Sequence, residues 1–239
     1  MRLDKFLSSS GNGTRKEVKQ LIKDKRITIN DEIAKSPSLI IDEYKDVIKL
    51  DDEIIEYHLY YYILLHKPKG YVSATEVERY YPPVTDLVSE YAFAHLFPVG
   101  RLDVDTTGLL LLTNDGKLAH KLLSPKFHVD KKYIATVDKV LDPKIIPHFE
   151  TGVQLQDEIT LPCKMRIIDD YNAEVILHEG KYHQVKRMFA YFGYTVVDLH
   201  RSEFAFLNLE GLEEADYRPL TNEEIEKLKE CANKNSDKI

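Results

Sequence analysis

"GRLDVDTTGLLLLTNDG", residues Gly100–Gly116, sets three aspartates, Asp103, Asp105 and Asp115, around one apolar run. The run GLLLLT (108–113) reads as a strand, and Asn114-Asp115-Gly116 after it as a turn. That assigns Asp115 to structure. Asp103 and Asp105 precede Thr106-Thr107, where a loop enters the strand, and the question is which of them works. Asp-X-Asp-Thr near an apolar run also suggests a phosphohydrolase of the haloacid dehalogenase type. That architecture needs an apolar strand before the aspartates and a second strand far downstream. Here Gly100-Arg101 interrupts the preceding strand, and the next element follows too soon for a crossover helix, so the reading fails. A divalent-metal nuclease would want further Asp, Glu or His ligands at loop positions. Nothing else in the chain clusters that way, and no metal is expected.

Outward from this stretch, YYYILLHKPKGYVSA (60–74) reads as a buried strand followed by a Lys-Pro-Lys-Gly turn. KLAHKLL reads as a helix, KKYIATVD and AEVILH as strands, and HQVKRMFAYFG as a helix ended by Gly193. The run from Thr221 reads as a closing helix capped by that threonine, with a frayed end. Strands and helices mix without a βαβ rhythm, which predicts an α+β fold with a mixed sheet. Before it, Leu3, Phe6 and Leu7 predict a short amphipathic helix that GNG breaks. Thr14 and Glu17 then form a capping box, and Val18, Leu21 and Ile22 continue as a buried stripe. RITIN and DVIKL read as strands, with Asn30-Asp31 as turn chemistry, and LDDEIIEY (50–57) as the lead into a linker. The expected division is a small unit at 1–57 and a larger α+β domain at 58–239.

The chain has 239 residues, 43% of them apolar, with 10 Gly and 10 Pro, the composition of a globular protein. Its apolar stretches are too short to span a bilayer, and its start lacks an apolar signal core. Cys163 and Cys231 lack paired-ligand spacing, so reduced thiols in a cytoplasmic protein are expected. The net charge of −7 hides an uneven distribution. Residues 1–28 carry eight Lys/Arg against three acids, and 117–132 five lysines against Asp130. Residues 203–239 hold ten acids against five bases. A basic front and middle with an acidic tail suits one polyanion-facing side, or a solvated lysine surface.

HKPKGYVSA, FPVGRLDVDTTGLLLLTNDG, KKYIATV and EGKYHQVKRMF resemble, in order, the motifs of the RsuA/RluB family of ribosomal RNA pseudouridine synthases. RLDKFL…TRKEVKQLIKDKRITIN resembles the small RNA-binding domain, shared with a small-subunit ribosomal protein, that this family carries at its N-terminus. Within the family, DTTGLLLLTNDG, HQVKRM and YRPLT are most similar to the small-subunit branch. The resemblance implies isomerisation of one uridine in 16S ribosomal RNA, in a small-subunit assembly intermediate, by a monomer with no cofactor. A synthase acting on 23S RNA and an inactive ribosome-assembly factor on the same fold are the alternatives.

The resemblance also implies site residues. Asp103 falls on the family's catalytic aspartate, and a carboxylate suits either stabilising or capturing an electron-poor sugar carbon, or acting as a base beside it. Tyr133 falls on the active-site tyrosine, whose ring stacks on a flipped uracil. Lys186 stands where related families carry an arginine paired with the aspartate, and Arg187 is the neighbouring candidate. A lysine there is a point charge, not a bidentate fork. Arg101 anchors the loop or contacts RNA backbone, while Arg15, Lys19 and Lys132 are expected to meet RNA. His66 replaces a usual asparagine, and Lys25 and Asp31 replace glycines common in the N-terminal domain.

Overall fold

Leu3, Phe6 and Leu7 line the buried side of helix α1 (Leu3–Ser9). Helix α2 (Arg15–Lys23) follows the Gly-Asn-Gly break. Its first turn carries the expected capping box: Thr14 Oγ1 accepts from Glu17 N at 3.3 Å, and Glu17 Oε2 accepts from Thr14 N at 2.7 Å. Val18 and Ile22 are buried, and Leu21 is half-buried. The helices pack on an antiparallel sheet of order β2-β1-β3-β4, made of β1 (Ile27–Ile29), β2 (Glu32–Ile33), β3 (Ile48–Leu50) and β4 (Glu53–Ile54). Both hairpins turn on paired left-handed residues, Asn30-Asp31 and Asp51-Asp52. Residues 50–57 therefore begin as a hairpin and not as a linker, because two adjacent aspartates tolerate the left-handed turn.

The structure is a computed structural model that describes residues 1–233. It divides into two compact units. Met1–Tyr61 together with Val88–Leu96 forms one, and Tyr62–Leu87 with the chain from Phe97 forms the other. Among the described residues no helix is long and apolar enough to cross a membrane.

The second unit is built on one large sheet. Its strands are β5 (Tyr62–Lys67), β6 (Phe97–Pro98), β7 (Thr107–Thr113), β8 (Lys131–Val137), β9 (Lys164–Ile167), β10 (Asn172–Leu177), β11 (Val196–Phe204), β12 (Leu207–Asn208) and β13 (Tyr217–Pro219). The order is β13-β5-β7-β11-β8-β10-β9, with β6 against β7 and β12 against β11. Only the β7–β11 pair is parallel, so the sheet is mixed and mainly antiparallel, within the α+β class. Every residue of β7 is buried, which is why this strand reads as a continuous apolar run and not as an alternation. Gly108 cannot be replaced there. At φ +112°, a Cβ would lie 2.3 Å from the Arg201 carbonyl oxygen of β11.

Helices α3 (Gly116–Leu123), α4 (Ile146–Thr151), α5 (Gln184–Tyr191) and α6 (Asn222–Cys231) complete the unit. The Asn-Asp-Gly turn is also the start of α3. Asp115 accepts from Lys117 N at 3.1 Å and Leu118 N at 3.0 Å, and its second oxygen takes the Tyr62 hydroxyl at 2.8 Å. Helix α6 has its own Thr221–Glu224 capping box, and the frayed end expected beyond it, at 234–239, lies outside the described residues.

One local departure has an energetic cost. Helix α2 ends in a Schellman motif, with Lys25 N donating to Ile22 O and Arg26 N to Leu21 O, both at 3.1 Å. Lys25 occupies its left-handed position at φ +60°, where glycine fits without strain. Lys25→Gly is expected to stabilise the N-terminal unit by roughly 0.5–1 kcal/mol in urea unfolding. A midpoint unchanged or lowered would contradict the strain at Lys25.

Candidate active site

The loop that carries Asp103 is held mainly by the turn after β5. Lys67, fully buried at the end of that strand, directs its ammonium at four backbone carbonyls: Thr106 at 2.9 Å, Pro68 at 3.0 Å, Asp103 at 3.1 Å and Val104 at 3.5 Å. Gly70 N donates to Val104 O at 2.9 Å. The Ser73 hydroxyl both donates to Leu102 O and accepts from Leu102 N, each at 2.9 Å. One segment, Lys67–Ser73, thus fixes residues 102–106 at four places. Burial pushes the Lys67 ammonium down to about 8, with the charges of Asp105 and Asp103 resisting.

The three aspartates separate cleanly in this frame. Asp115 is spent on the cap of α3. The Asp105 side chain is 71% exposed, and the Asp103 side chain is 24% exposed. Lys186, in the first turn of α5, bridges the two: its Nζ lies 2.8 Å from Asp103 Oδ2 and 2.6 Å from Asp105 Oδ1. Burial works against the Lys186 charge, yet the two carboxylates outweigh it and hold this ammonium above the ordinary lysine value. Desolvation likewise opposes ionisation of Asp105, and Lys186 reverses the balance to leave Asp105 below the ordinary carboxylate value. His183 Nε2 stands 3.5 Å from the other Asp103 oxygen, Oδ1.

The start of α5 is fixed from below. Gln184, buried, donates to Glu179 Oε1 at 2.7 Å and accepts from Lys181 N at 2.9 Å. Glu179, also buried, takes Leu161 N at 2.8 Å on the same oxygen and faces Lys181 Nζ at 3.4 Å. Arg187 turns elsewhere, to Glu158 at 3.6 Å and to the Tyr182 carbonyl at 3.4 Å. The cation that meets Asp103 is Lys186.

Tyr133 sits on β8 with its hydroxyl 3.5 Å from Arg201 Nη1, and the Arg201 guanidinium stands over its ring at 6.0 Å from the centroid. Arg201 is 1% exposed and donates through Nε to the Leu109 carbonyl of β7 at 2.7 Å. It therefore ties the tyrosine's strand to the strand that follows the aspartate loop. Lys131, buried nearby over Phe204, is pushed down to about 8 by burial and by Arg201. Thr107 Oγ1 meets His200 Nδ1 at 2.8 Å, and His200 stacks edge-on with His66. His66 Nδ1 in turn meets Leu212 O at 3.0 Å, so the histidine in place of asparagine is engaged in the fold.

The remaining expected site residues lie apart. Arg101 pairs with Glu78 at 2.6 Å, on the exposed side of the loop. Lys132, next to Tyr133 and on the opposite face of the sheet, pairs with Glu203 at 2.8 Å. Arg15 and Lys19 are exposed on α2. Among the described residues no group of three or more His, Cys, Asp or Glu side chains is arranged to hold a metal ion. Sequence reasoning passed over Lys67, Ser73, Glu179, His183 and Arg201. All but Arg201 lie inside the motifs it quoted, but attention there went to the turn and to the cations.

The larger unit is a mixed sheet with a clamped, half-buried aspartate facing a lysine, the smaller one a helix-and-hairpin unit, and comparison with known proteins identifies the class as pseudouridine synthase. The family model for RNA pseudouridylate synthase matches residues 61–191, and that for the S4 domain residues 1–47. The chain is 41% identical to the ribosomal small subunit pseudouridine synthase A of Haemophilus influenzae, covering 95% of this chain and 99% of that protein. It is 39% identical to the protein of the same name in Yersinia pestis, covering 94% and 97%. The ribosomal large subunit pseudouridine synthase B of Bacillus subtilis is 35% identical, covering 97% and 96%. A crystal structure of a pseudouridylate synthase superposes with a TM-score of 0.66 at 41% identity, covering 95% of this chain and 99% of that one. The chain belongs to the RNA pseudouridylate synthase family, in its RsuA/RluB branch, and is a pseudouridine synthase.

Lys67 and Lys131 give opposite pH signatures for stability and activity. Both hold their proton less tightly folded than unfolded, so from about pH 8 to the ordinary value of 10.5 the unfolded chain binds more protons. Their contribution to stability therefore rises with pH across that window. Turnover is expected to fall as pH passes about 8, because a neutral amine has two N–H donors in place of three for the carbonyls around it. Rate profiles at saturating RNA, beside urea midpoints on either side of that pH, check both limbs. A midpoint that drops as turnover drops would contradict the buried-lysine account.

Proposed function

We propose that this enzyme converts one uridine of 16S ribosomal RNA to pseudouridine, with Asp103 as the reacting carboxylate. The observation that carries this reading is the Asp103 carboxylate itself: half-buried, on a clamped loop, facing Lys186 at 2.8 Å and His183 at 3.5 Å. The reaction breaks the bond between uracil N1 and C1′ of the sugar, turns the base, and rejoins it through C5. An ionised carboxylate facing C1′ stabilises the electron-poor carbon that forms as the bond breaks. Lys186 orients that carboxylate. Being a point charge, it holds a single Asp103 oxygen and leaves the other, which His183 faces at 3.5 Å, to meet the sugar. The Tyr133 ring offers a stacking surface for the flipped uracil.

The small-subunit target is supported by the names of the relatives at 41% and 39% identity. The 35% identity to a large-subunit synthase over 97% of this chain supports 23S RNA as the second reading. An inactive assembly factor would have no use for an aspartate so placed. In this reading the chain works as a cytoplasmic monomer on a small-subunit assembly intermediate. Residues 1–57 serve as the RNA clamp and 58–239 as the catalytic domain. The exposed cations Arg15 and Lys19 displace counterions from RNA without reading bases, and Arg101, Lys132 and Arg187 add backbone contacts.

Unmodified 16S and 23S fragments, incubated with the enzyme and mapped for pseudouridine, test the target. Product in 16S alone is expected; product only in 23S would reassign it. Asp103→Asn should abolish product while leaving RNA affinity within about threefold, since phosphate contacts dominate affinity. Asp105→Asn should still turn over, and the reverse pattern would move the role to Asp105. For the clamp, Arg15→Glu with Lys19→Glu is a cleaner test than removing residues 1–57, because Val88–Leu96 belongs to the same unit. That pair should weaken binding at least about tenfold at low salt, with the loss shrinking as salt rises. Undiminished low-salt affinity would show that the basic face is only a solvated surface.

A further inference from the structure

Pseudouridine formation includes a proton movement beyond the C1′ chemistry assigned to Asp103, and Lys186 is not placed to perform it. Once C1′ is joined to C5, that carbon carries the sugar and its original hydrogen, and the ring holds a C6=N1 double bond. The C5–H bond must then break, its electron pair restoring C5=C6, while N1 takes up a proton. One acceptor that later returns the proton to N1 balances the step.

The groups around Asp103 narrow the choice of acceptor. Lys186 is held as a cation by two carboxylates and has no lone pair to offer. Asp105 is tied to Lys186 and points mostly to solvent. Lys67 is buried and directed at carbonyls. The Tyr133 hydroxyl oxygen faces the donor nitrogen of Arg201. His183 differs from all of these. Its Nε2 lies 3.5 Å from Asp103 Oδ1, the oxygen that Lys186 leaves open, and its side chain is 40% exposed. The imidazole is stacked on the Tyr182 ring at 3.8 Å and 18°, which sets its plane.

The backbone at this position reinforces the point. His183 is the N-cap of α5 at φ +47°, ψ +36°, and its side chain makes no capping hydrogen bond. A left-handed conformation disfavours most L side chains, and strain of this kind clusters at functional sites. The imidazole does not cap the helix, and it does not fill the core.

We propose that His183 is the acid–base residue of the second half of the reaction, taking the C5 proton on Nε2 and delivering it to N1. The proposal rests on the reading of Asp103 as the residue that meets C1′. Uracil C5 must come to that carbon, and hence beside the oxygen that His183 faces.

The left-handed backbone makes the test clean, because asparagine and glycine adopt this conformation readily. His183→Asn and His183→Gly should fold and bind RNA like the wild type. The measurement is single-turnover formation of pseudouridine at saturating RNA, with the target uridine carrying hydrogen or deuterium at C5. Wild-type enzyme should show no primary isotope effect. Both variants should slow by about 10²–10⁴-fold and acquire one, and free imidazole should rescue His183→Gly. A variant that keeps the wild-type rate, or slows equally on both substrates without rescue, would overturn the proposal and leave Asp103 untouched. A wild type that makes no pseudouridine, or an Asp103→Asn that still makes it, would instead overturn the reading on which the proposal rests.

Discussion

A fully buried lysine ammonium governs this active site. Stripping an ammonium of water costs several kcal/mol, and Lys67 recovers part of that cost from carbonyl dipoles, not from a facing carboxylate. Three of those carbonyls, Asp103, Val104 and Thr106, belong to the loop between β6 and β7. The interaction therefore works in both directions: the loop solvates the lysine, and the lysine dictates the shape of the loop. Ser73 and Gly70 add the outer fixings. Asp103 is aimed by its own main chain, which leaves its side chain available for chemistry.

The electrostatics beyond the clamp follow from what each aspartate has already been given. Asp115 is occupied by two helix amides and a tyrosine hydroxyl. Asp105 contributes charge to Lys186 from the solvent side. Only Asp103 combines partial burial, a cation on one oxygen and an imidazole near the other. Arg201 performs a parallel service for Tyr133, holding a β7 carbonyl and facing the phenol from a buried position. Two buried cations, Lys67 and Arg201, thus brace the strands on which the working side chains stand.

Features written into a few neighbouring residues were legible in the sequence. The Thr14–Glu17 capping box, the Thr221 cap, the helix break at Gly-Asn-Gly and the strands that became β5, β7 and β8 all depend on local pattern. Asn-Asp-Gly read only as a turn because a turn and a helix cap use the same chemistry, an aspartate accepting from amides two and three residues on. Strand β11 escaped because its core side includes Arg201, a charge where the alternation should show an apolar residue. Lys67 escaped for the same reason: its partners lie 36 and 39 residues away, and hydropathy places a lysine outside. The Asp103–Lys186 pair came from family resemblance, whereas His183 needed three dimensions.

The central claim is that the Lys67 ammonium, through the carbonyls it gathers, keeps the Asp103 loop in its working shape. Amide hydrogen exchange on Lys67→Met tests it most directly. The Leu102 and Thr106 amides, which donate to Ser73 and to the Asp103 carbonyl, should lose protection by on the order of 10²-fold or more. The amides of Leu109–Leu112 should stay protected, because their strand pairing is intact. Leu102 and Thr106 amides as slow as in the wild type would contradict the account, and would mean that the loop holds its shape without the lysine.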